Sequence, residues 1–321
     1  MQRRYVVAAV LIAAAAAILP FAAERAAARQ GQSQNQNAVQ VRMTVSVEAR
    51  HGAEIPPITR EDVVVEEGHD HDMITGWLPA QGPNAGLDLL VLLDDSSSIS
   101  LGAQLEDIRA FIVQQPPTTF IGVGYIQNGT VDMVQNFTQD HVSAAKSLRL
   151  PLGAAAGVDA SPYFSVSDYA KRWPVSPARP RREILLISDG VDTYYGGGPE
   201  DPYVDAAIED AHRAGITIYS IYAPGSGHSG HSFYRINWGQ NDLSELSDKT
   251  GGESYWNGFG SAVSFTPFLE ELTLQLQHQY LLTFMPKPEK KAGMQRVHLA
   301  TEVPTAELVY QDSVYVPATP D

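Results

Sequence analysis

Leu87-Asp88-Leu89-Leu90-Val91-Leu92-Leu93-Asp94-Asp95-Ser96-Ser97-Ser98-Ile99-Ser100 is the stretch that decides how this 321-residue chain is read. Asp88 to Leu93 is nearly all apolar. A short run that is apolar at both sets of alternating positions suits a strand buried on both faces of a parallel sheet. The run then stops at two carboxylates and three hydroxyls. In open α/β sheets, functional side chains gather at the carboxyl ends of the strands.

Outward from this strand, helix and strand patterns alternate. Leu105, Ile108 and Ile112 mark a helix. Phe120 to Gln127 and Thr130 to Phe137 read as strands joined by Asn128-Gly129. Asn-Gly between two strand patterns is a strong hairpin signal, so the second of these strands should run antiparallel at an edge. Asp140 to Leu150 and Pro162 to Trp173 read as helices, and Glu183 to Ser188 as a buried strand ending in Asp189-Gly190. A helix over Tyr203 to Ala214 closes at Gly215, and the strand Ile216 to Tyr222 follows. A short helix over Asp242 to Lys249 closes at Gly251, and Phe265, Phe268, Leu269, Leu272 and Leu276 trace one face of a last helix. This alternation predicts an α/β fold, a doubly wound, Rossmann-like and mostly parallel sheet.

The flanks read differently. Arg3 and Arg4 precede an apolar run from Tyr5 to Ala23, so residues 1–28 have the pattern of a signal peptide or an N-terminal anchor. The expected location is therefore outside the cytoplasm, periplasmic or extracellular, with membrane contact only through an uncleaved anchor. Residues 29–38 form a Gln/Asn/Ser-rich linker expected to be disordered. Residues 39–80 carry strand patterns: Val39 to Val47, Asp62 to Glu66 and Met73 to Leu78. After the α/β region, residues 86–285, the segment 286–321 begins with a charged turn from Lys287 to Gly293. Arg296 to Val303 and Leu308 to Val316 follow as two strands with no helix between them. The two flanking β segments are expected to pack together as a small β module.

Composition removes several functions. The chain has no cysteine, which excludes thiolate catalysis, zinc–thiolate sites and disulfides. Its net charge of -15 and the lack of a basic stripe argue against nucleic acid as a partner. An acidic surface favours solubility and attracts cations.

The chemistry gathers at two strand ends. Asp94, Ser96 and Ser98 form D-x-S-x-S on the loop after the first buried strand, and Asp189 stands at the end of another. Carboxylates and hydroxyls make an all-oxygen donor set, which suits Mg²⁺, Mn²⁺ or Ca²⁺. LDLLVLLDDSSSIS (87–100) and ILLISDGVDT (184–193) resemble the first-strand and fourth-strand motifs of the von Willebrand factor type A (VWFA) domain. The resemblance covers about residues 86–284. It implies a metal-ion-dependent adhesion site (MIDAS) made by Asp94, Ser96, Ser98, Ser161 and Asp189. Ser161 takes the place of the family's threonine, with Ser165 as its alternative. It also implies an open coordination position for an Asp or Glu carboxylate of a protein partner. ITREDVVVEEG (58–68), LSDKTGGESYW (246–256) and QYLLTFMP (279–286) are similar to an exported bacterial subgroup of the kind called VWFA-related acidobacterial domain.

The expected function is metal-dependent protein binding, in adhesion or envelope assembly, without catalysis. Two other readings stand beside it. One is a structural type A domain with a non-functional metal site. The other is a metal-assisted hydrolase, which needs a general base such as Asp95 or Asp192. His69-Asp70-His71-Asp72 has the composition of a transition-metal cluster but reads better as a solvated hairpin turn. Gly225 to Ser232 (GSGHSGHS) imitates a nucleophile elbow, but His231 stands where glycine is required.

Overall fold

The computed structural model describes residues 39–50, 54–68, 70–153, 161–176, 178, 180–196, 198, 200–227, 232–287 and 290–318. The signal-like segment 1–28, the linker 29–38, His69 and the centre of the GSGHSGHS loop lie outside the described residues. In chain order the first strands are β1 (Val41–Ala49), β2 (Val63–Glu67), β3 (Asp70–His71) and β4 (Met73–Pro79). The α/β part runs β5 (Leu87–Asp94), α1 (Leu105–Gln114), β6 (Thr119–Gln127), β7 (Thr130–Thr138), α2 (His141–Lys146) and α3 (Pro162–Lys171). It continues with β8 (Arg181–Ser188), α4 (Pro202–Ala214), β9 (Ile216–Tyr222), α5 (Phe233–Lys249), β10 (Ser254–Tyr255) and α6 (Thr266–Gln277). Last come β11 (Gln279–Met285), β12 (Gly293–Arg296), β13 (His298–Thr301), β14 (Ala306–Tyr310) and β15 (Ser313–Val316).

The central sheet has six strands in the order β10-β9-β8-β5-β6-β7. All neighbours are parallel except β6 and β7, which form the expected antiparallel edge hairpin. Asn128 and Gly129 both have positive φ (48° and 69°), as a two-residue turn of this twist demands. β5 is buried along its whole length because alternate residues feed two cores. Leu89, Val91 and Leu93 pack with α1, α2 and α6, while Leu90 and Leu92 pack with α3, α4 and α5. Burying a leucine side chain fully contributes roughly 1.5–3 kcal/mol, so a strand covered on both faces anchors the layer arrangement. The doubly wound α/β architecture expected from the alternation is the one observed.

Several elements differ in extent from their sequence reading. The helix expected over Asp140 to Leu150 stops at Lys146. The Tyr125 hydroxyl captures the chain just beyond it, accepting from the Arg149 N–H (2.7 Å) and donating to the Arg149 carbonyl (2.8 Å). The short helix expected from Asp242 begins at Phe233 instead. Ile236, Gly239, Gln240, Leu243 and Leu246 are buried at helical spacing, and Gly239 sits inside the helix rather than ending it. The two strands expected after Pro286 are four shorter ones.

A four-stranded antiparallel sheet, β14-β1-β11-β4, lies beside the parallel one. β13-β2-β3 and β12-β15 pair separately, so β1, β2 and β4 from residues 39–80 pair with strands that follow α6. Their apolar faces form a third core around Val45, Val65, Leu282, Phe284 and Val314. β3 pairs back on β2, with Glu66 opposite His71 and Glu67 opposite Asp70, so Asp70 and His71 stand in a hairpin.

Candidate metal centre

β5 ends because its apolar alternation gives way to carboxylates and hydroxyls. The Ser97 N–H donates to the Asp94 carbonyl (3.1 Å), turning the chain at once. Ser98 then caps a short 3-10 turn (Ile99–Ala103), its hydroxyl accepting from the Ser100 N–H. The loop after β9 closes over this turn. The Ser98 N–H donates to the Pro224 carbonyl (2.9 Å) and the Ser226 N–H to the Ser96 carbonyl (3.1 Å). The segment before α3 joins them through Gly153, whose N–H donates to the Asp95 carbonyl (2.9 Å). Three loops therefore meet at the carboxyl edge of the sheet.

Asp94 is fully buried at this junction. One of its oxygens accepts from both the N–H (2.9 Å) and the hydroxyl (2.7 Å) of Ser96. The other accepts from the Ser188 hydroxyl at 2.7 Å. Asp189 follows directly, 5% exposed, with one oxygen accepting the Val191 N–H (2.9 Å). Burial pushes both carboxyls above the usual carboxylate range, and the charge of Asp94 raises Asp189 further. The Ser97 hydroxyl is buried without a hydrogen-bond partner. Two carboxylates at the ends of neighbouring strands, with the Ser96 and Ser188 hydroxyls on Asp94, make an all-oxygen donor set that fits a hard divalent cation.

The other expected ligands are placed less uniformly. The Ser98 hydroxyl is used within its own loop, accepting from the Ser100 hydroxyl at 2.9 Å. Ser161 caps α3, accepting from the Phe164 N–H (3.1 Å), and donates its proton to Asp192. Ser165 turns back on its helix and donates to the Ser161 carbonyl (2.7 Å). Among the described residues no three His, Asp or Glu side chains converge as a metal cluster, and the expected set contains only two carboxylates.

Asp95 points elsewhere. It is fully buried and takes both Arg149 guanidinium nitrogens (2.6 and 2.7 Å) and the Leu152 N–H (2.9 Å). Burial alone would raise its carboxyl, but the bonds from Arg149, Gln127 and Leu152 outweigh it and hold it below the usual range. A carboxylate bound this way is a weak proton acceptor.

Two features escaped the sequence reading. Ser188 links Asp94 to the end of β8, and its only sequence signal is its place before Asp189-Gly190. Gly190 (φ 70°) and Gly239 allow α5 to press its backbone onto the Asp189 loop. A Cβ on Gly239 would stand 2.0 Å from the Asp189 carbonyl oxygen, and one on Gly190 2.2 Å from the Gly239 carbonyl oxygen.

The fold and site define an α/β protein with a buried, all-oxygen cluster at the carboxyl edge of its parallel sheet. Solved structures that it is similar to include proteins of the family whose motifs it resembles. A von Willebrand factor type A protein from Catenulispora acidiphila aligns over 89% of this chain and 75% of its own, at 12% identity and a TM-score of 0.45. An aerotolerance-related membrane protein from Bacteroides fragilis aligns over 60% of this chain and 98% of its own, at 16% identity and a TM-score of 0.43. A proximal thread matrix protein from the mussel byssus, with a zinc-occupied MIDAS motif, aligns over 61% of this chain and 46% of its own, at 11% identity and a TM-score of 0.41. None of these likenesses reaches a TM-score of 0.5, so none bears on the chemistry of the site. No protein-family model and no curated protein matches the chain.

Proposed function

We propose that this chain is an exported type A module that binds a protein partner through a divalent cation, Mg²⁺ or, in its place, Mn²⁺ or Ca²⁺. Asp94, Ser96, Ser98, Ser161 and Asp189 would hold the ion. Bound there, the cation supplies a positive centre with a position open to an Asp or Glu carboxylate of the partner. The chain's own residues hold the donors at the sheet edge, orient them through Ser188 and the Gly190–Gly239 contact, and keep Asp95 out of the cluster. The division into residues 39–80, 86–285 and 286–321 belongs to this reading, with the β segments supporting the module. The export signal of residues 1–28 belongs to it too. No helix among the described residues is long and apolar enough to cross a membrane.

The observation that carries the proposal is the burial of Asp94 and Asp189 beside each other at adjacent strand ends. An uncompensated pair of buried like charges is costly, and a bound cation removes that cost. The hydrolase reading loses one of its two candidate bases, because Asp95 is tied to Arg149. Thermal melts of the full chain with Mg²⁺, Mn²⁺, Ca²⁺ or EDTA test the proposal against a structural domain with a dead site. A ligand bound only by the folded state stabilises it by about 2.7 kcal/mol at a hundredfold excess over its Kd. The expected result is a metal-dependent rise in Tm that Asp94→Ala abolishes. Equal melts in every metal and in EDTA would support the dead-site reading.

A further inference from the structure

β13, β2 and β3 form a three-stranded sheet, and its register lines up two imidazoles and a carboxylate. His298 on β13 stands opposite Glu66 on β2, and Glu66 stands opposite His71 on β3. Residues directly opposite in an antiparallel pair share one face of the sheet. Val63, Val65 and Leu299 turn the other face into the third core, so His298, Glu66 and His71 form a row on the outer face. His71 Nε2 is 3.9 Å from a Glu66 oxygen. Neighbouring strands lie about 4.8 Å apart, so the two histidines flank the glutamate with their backbones about 10 Å from each other, and two imidazole arms span that gap. The His298 ring is held from behind. The Tyr310 hydroxyl accepts the Leu299 N–H (2.8 Å), donates to the Leu299 carbonyl (3.3 Å) and lies 3.1 Å from His298 Nδ1. With its proton on that carbonyl, the hydroxyl accepts from Nδ1–H, and Nε2 keeps the lone pair. Metal-ligating histidines almost always have their other ring nitrogen held in this way.

We propose that His71, Glu66 and His298 bind one transition-metal ion, Zn²⁺ or Ni²⁺, with water completing its coordination. Imidazole and carboxylate donors suit these ions, whereas the all-oxygen set at the edge of the parallel sheet suits Mg²⁺. In their present rotamers the three side chains do not share one point at metal-binding distance. The His71 side chain is 68% exposed, so its ring turns towards Glu66 through solvent rather than through packed neighbours. The His69–Asp72 run supplies His71, and the other two ligands come from β2 and β13. The ion therefore fastens the β segment that precedes the α/β part to the one that follows it. The inference does not require the cation at Asp94 and Asp189.

The test titrates the full chain with Zn²⁺ in saturating Mg²⁺, by calorimetry and by the ¹⁵N resonances of the imidazole rings. The expected result is a saturable site whose filling shifts the ring nitrogens of His71 and His298 together. His71→Ala, Glu66→Gln and His298→Ala lie on the outer face, so each should melt like the parent in EDTA and bind Zn²⁺ there at least tenfold more weakly. Tyr310→Phe should weaken binding by about tenfold and change the tautomer that the His298 ring reports. Asp94→Ala should fill this site like the parent chain, so failure of the Mg²⁺ proposal leaves this one standing. The inference is overturned by unmoved His71 and His298 resonances, by undiminished affinity in either histidine variant, or by loss of the site in Asp94→Ala. A site that His69→Ala removes and His298→Ala leaves would also overturn it, because the turn sequence alone would then hold the ion.

Discussion

The Ser188 hydroxyl donates to the second oxygen of Asp94 at 2.7 Å and accepts the Gly190 N–H at 3.0 Å. One buried side chain thus ties the end of β5 to the turn that carries Asp189. Ser188 is bonded both to one candidate ligand, Asp94, and to the turn that carries the other.

Ser188→Ala should therefore weaken both the fold and the site. It leaves an oxygen of fully buried Asp94 without its donor, and an unsatisfied buried group costs about 1–3 kcal/mol. Urea unfolding in EDTA should show that loss, and the Tm rise given by Mg²⁺ should shrink. Stability unchanged from the parent would mean that water replaces the hydroxyl and that the link is dispensable.

Stability without metal should fall as pH rises. Burial first, with like charges added, pushes Asp201 up to about 6 and Asp242 up to about 7. Burial also raises Glu183 to about 7, and Asp94 and Asp189 move in the same direction. In the unfolded chain these carboxyls titrate at about 4, so between about pH 4 and 7 the folded state keeps protons that the unfolded state releases. Their stabilisation is complete below the unfolded values and is lost as pH passes through 6 to 7. Calorimetry in EDTA should show Tm falling from pH 5 to 8, and saturating Mg²⁺ should flatten the upper part of that fall. A Tm in EDTA that climbs steadily to pH 8 would contradict the assignment.

Arg149→Met should be among the most damaging substitutions near the site. It removes both guanidinium bonds from an Asp95 carboxylate that has no exposure and then keeps only its bonds from Gln127 and Leu152. Breaking a buried pair by removing one partner costs about 3–5 kcal/mol. Arg149 is 36% exposed, so solvent screening puts the expected loss at about 2–3 kcal/mol. Arg149→Met combined with Asp95→Asn should recover part of it, which a double-mutant cycle in urea would measure. No recovery would show that Arg149 acts mainly by packing over the Tyr125 ring, 3.8 Å from its centroid.

Gly239→Ala should disturb the site from a distance. Alanine is the better helix former, by about 1 kcal/mol in an exposed helix. Here its Cβ would meet the Asp189 carbonyl oxygen at 2.0 Å, so α5 or the Asp189 loop must move. Overpacking of this kind costs about 1–3 kcal/mol, and the metal-dependent Tm shift should fall with it. Ala at Gly260, where nothing lies within 4 Å, is the matched control and should leave both readouts near the parent values. A stabilised Gly239→Ala would mean that the helix and loop are not in contact in solution.

Much of this was legible along the chain because local chemistry decides it. The period of the apolar residues separates β5, β8 and β9 from the helices, and Asn128-Gly129 specifies the edge hairpin. The start of α5 was not legible, because a Gly-, His- and Ser-rich run precedes it and Gly239 reads as a breaker. The end of α2 was hidden for another reason. The hydroxyl of Tyr125, about two dozen residues away in sequence, stops it.

The sequence by itself determined the α/β class and the presence of oxygen donors at two strand ends. Both follow from residue types and spacings within short windows. Only the tertiary structure decided what those donors meet. Asp94 and Asp95 are neighbours in the chain with opposite fates, one buried beside Asp189 and the other neutralised by Arg149. Ser188 and Gly239 gained their meaning in the same way. Partners brought together across dozens of residues depend on how sheets and helices pack, and local pattern carries no record of that.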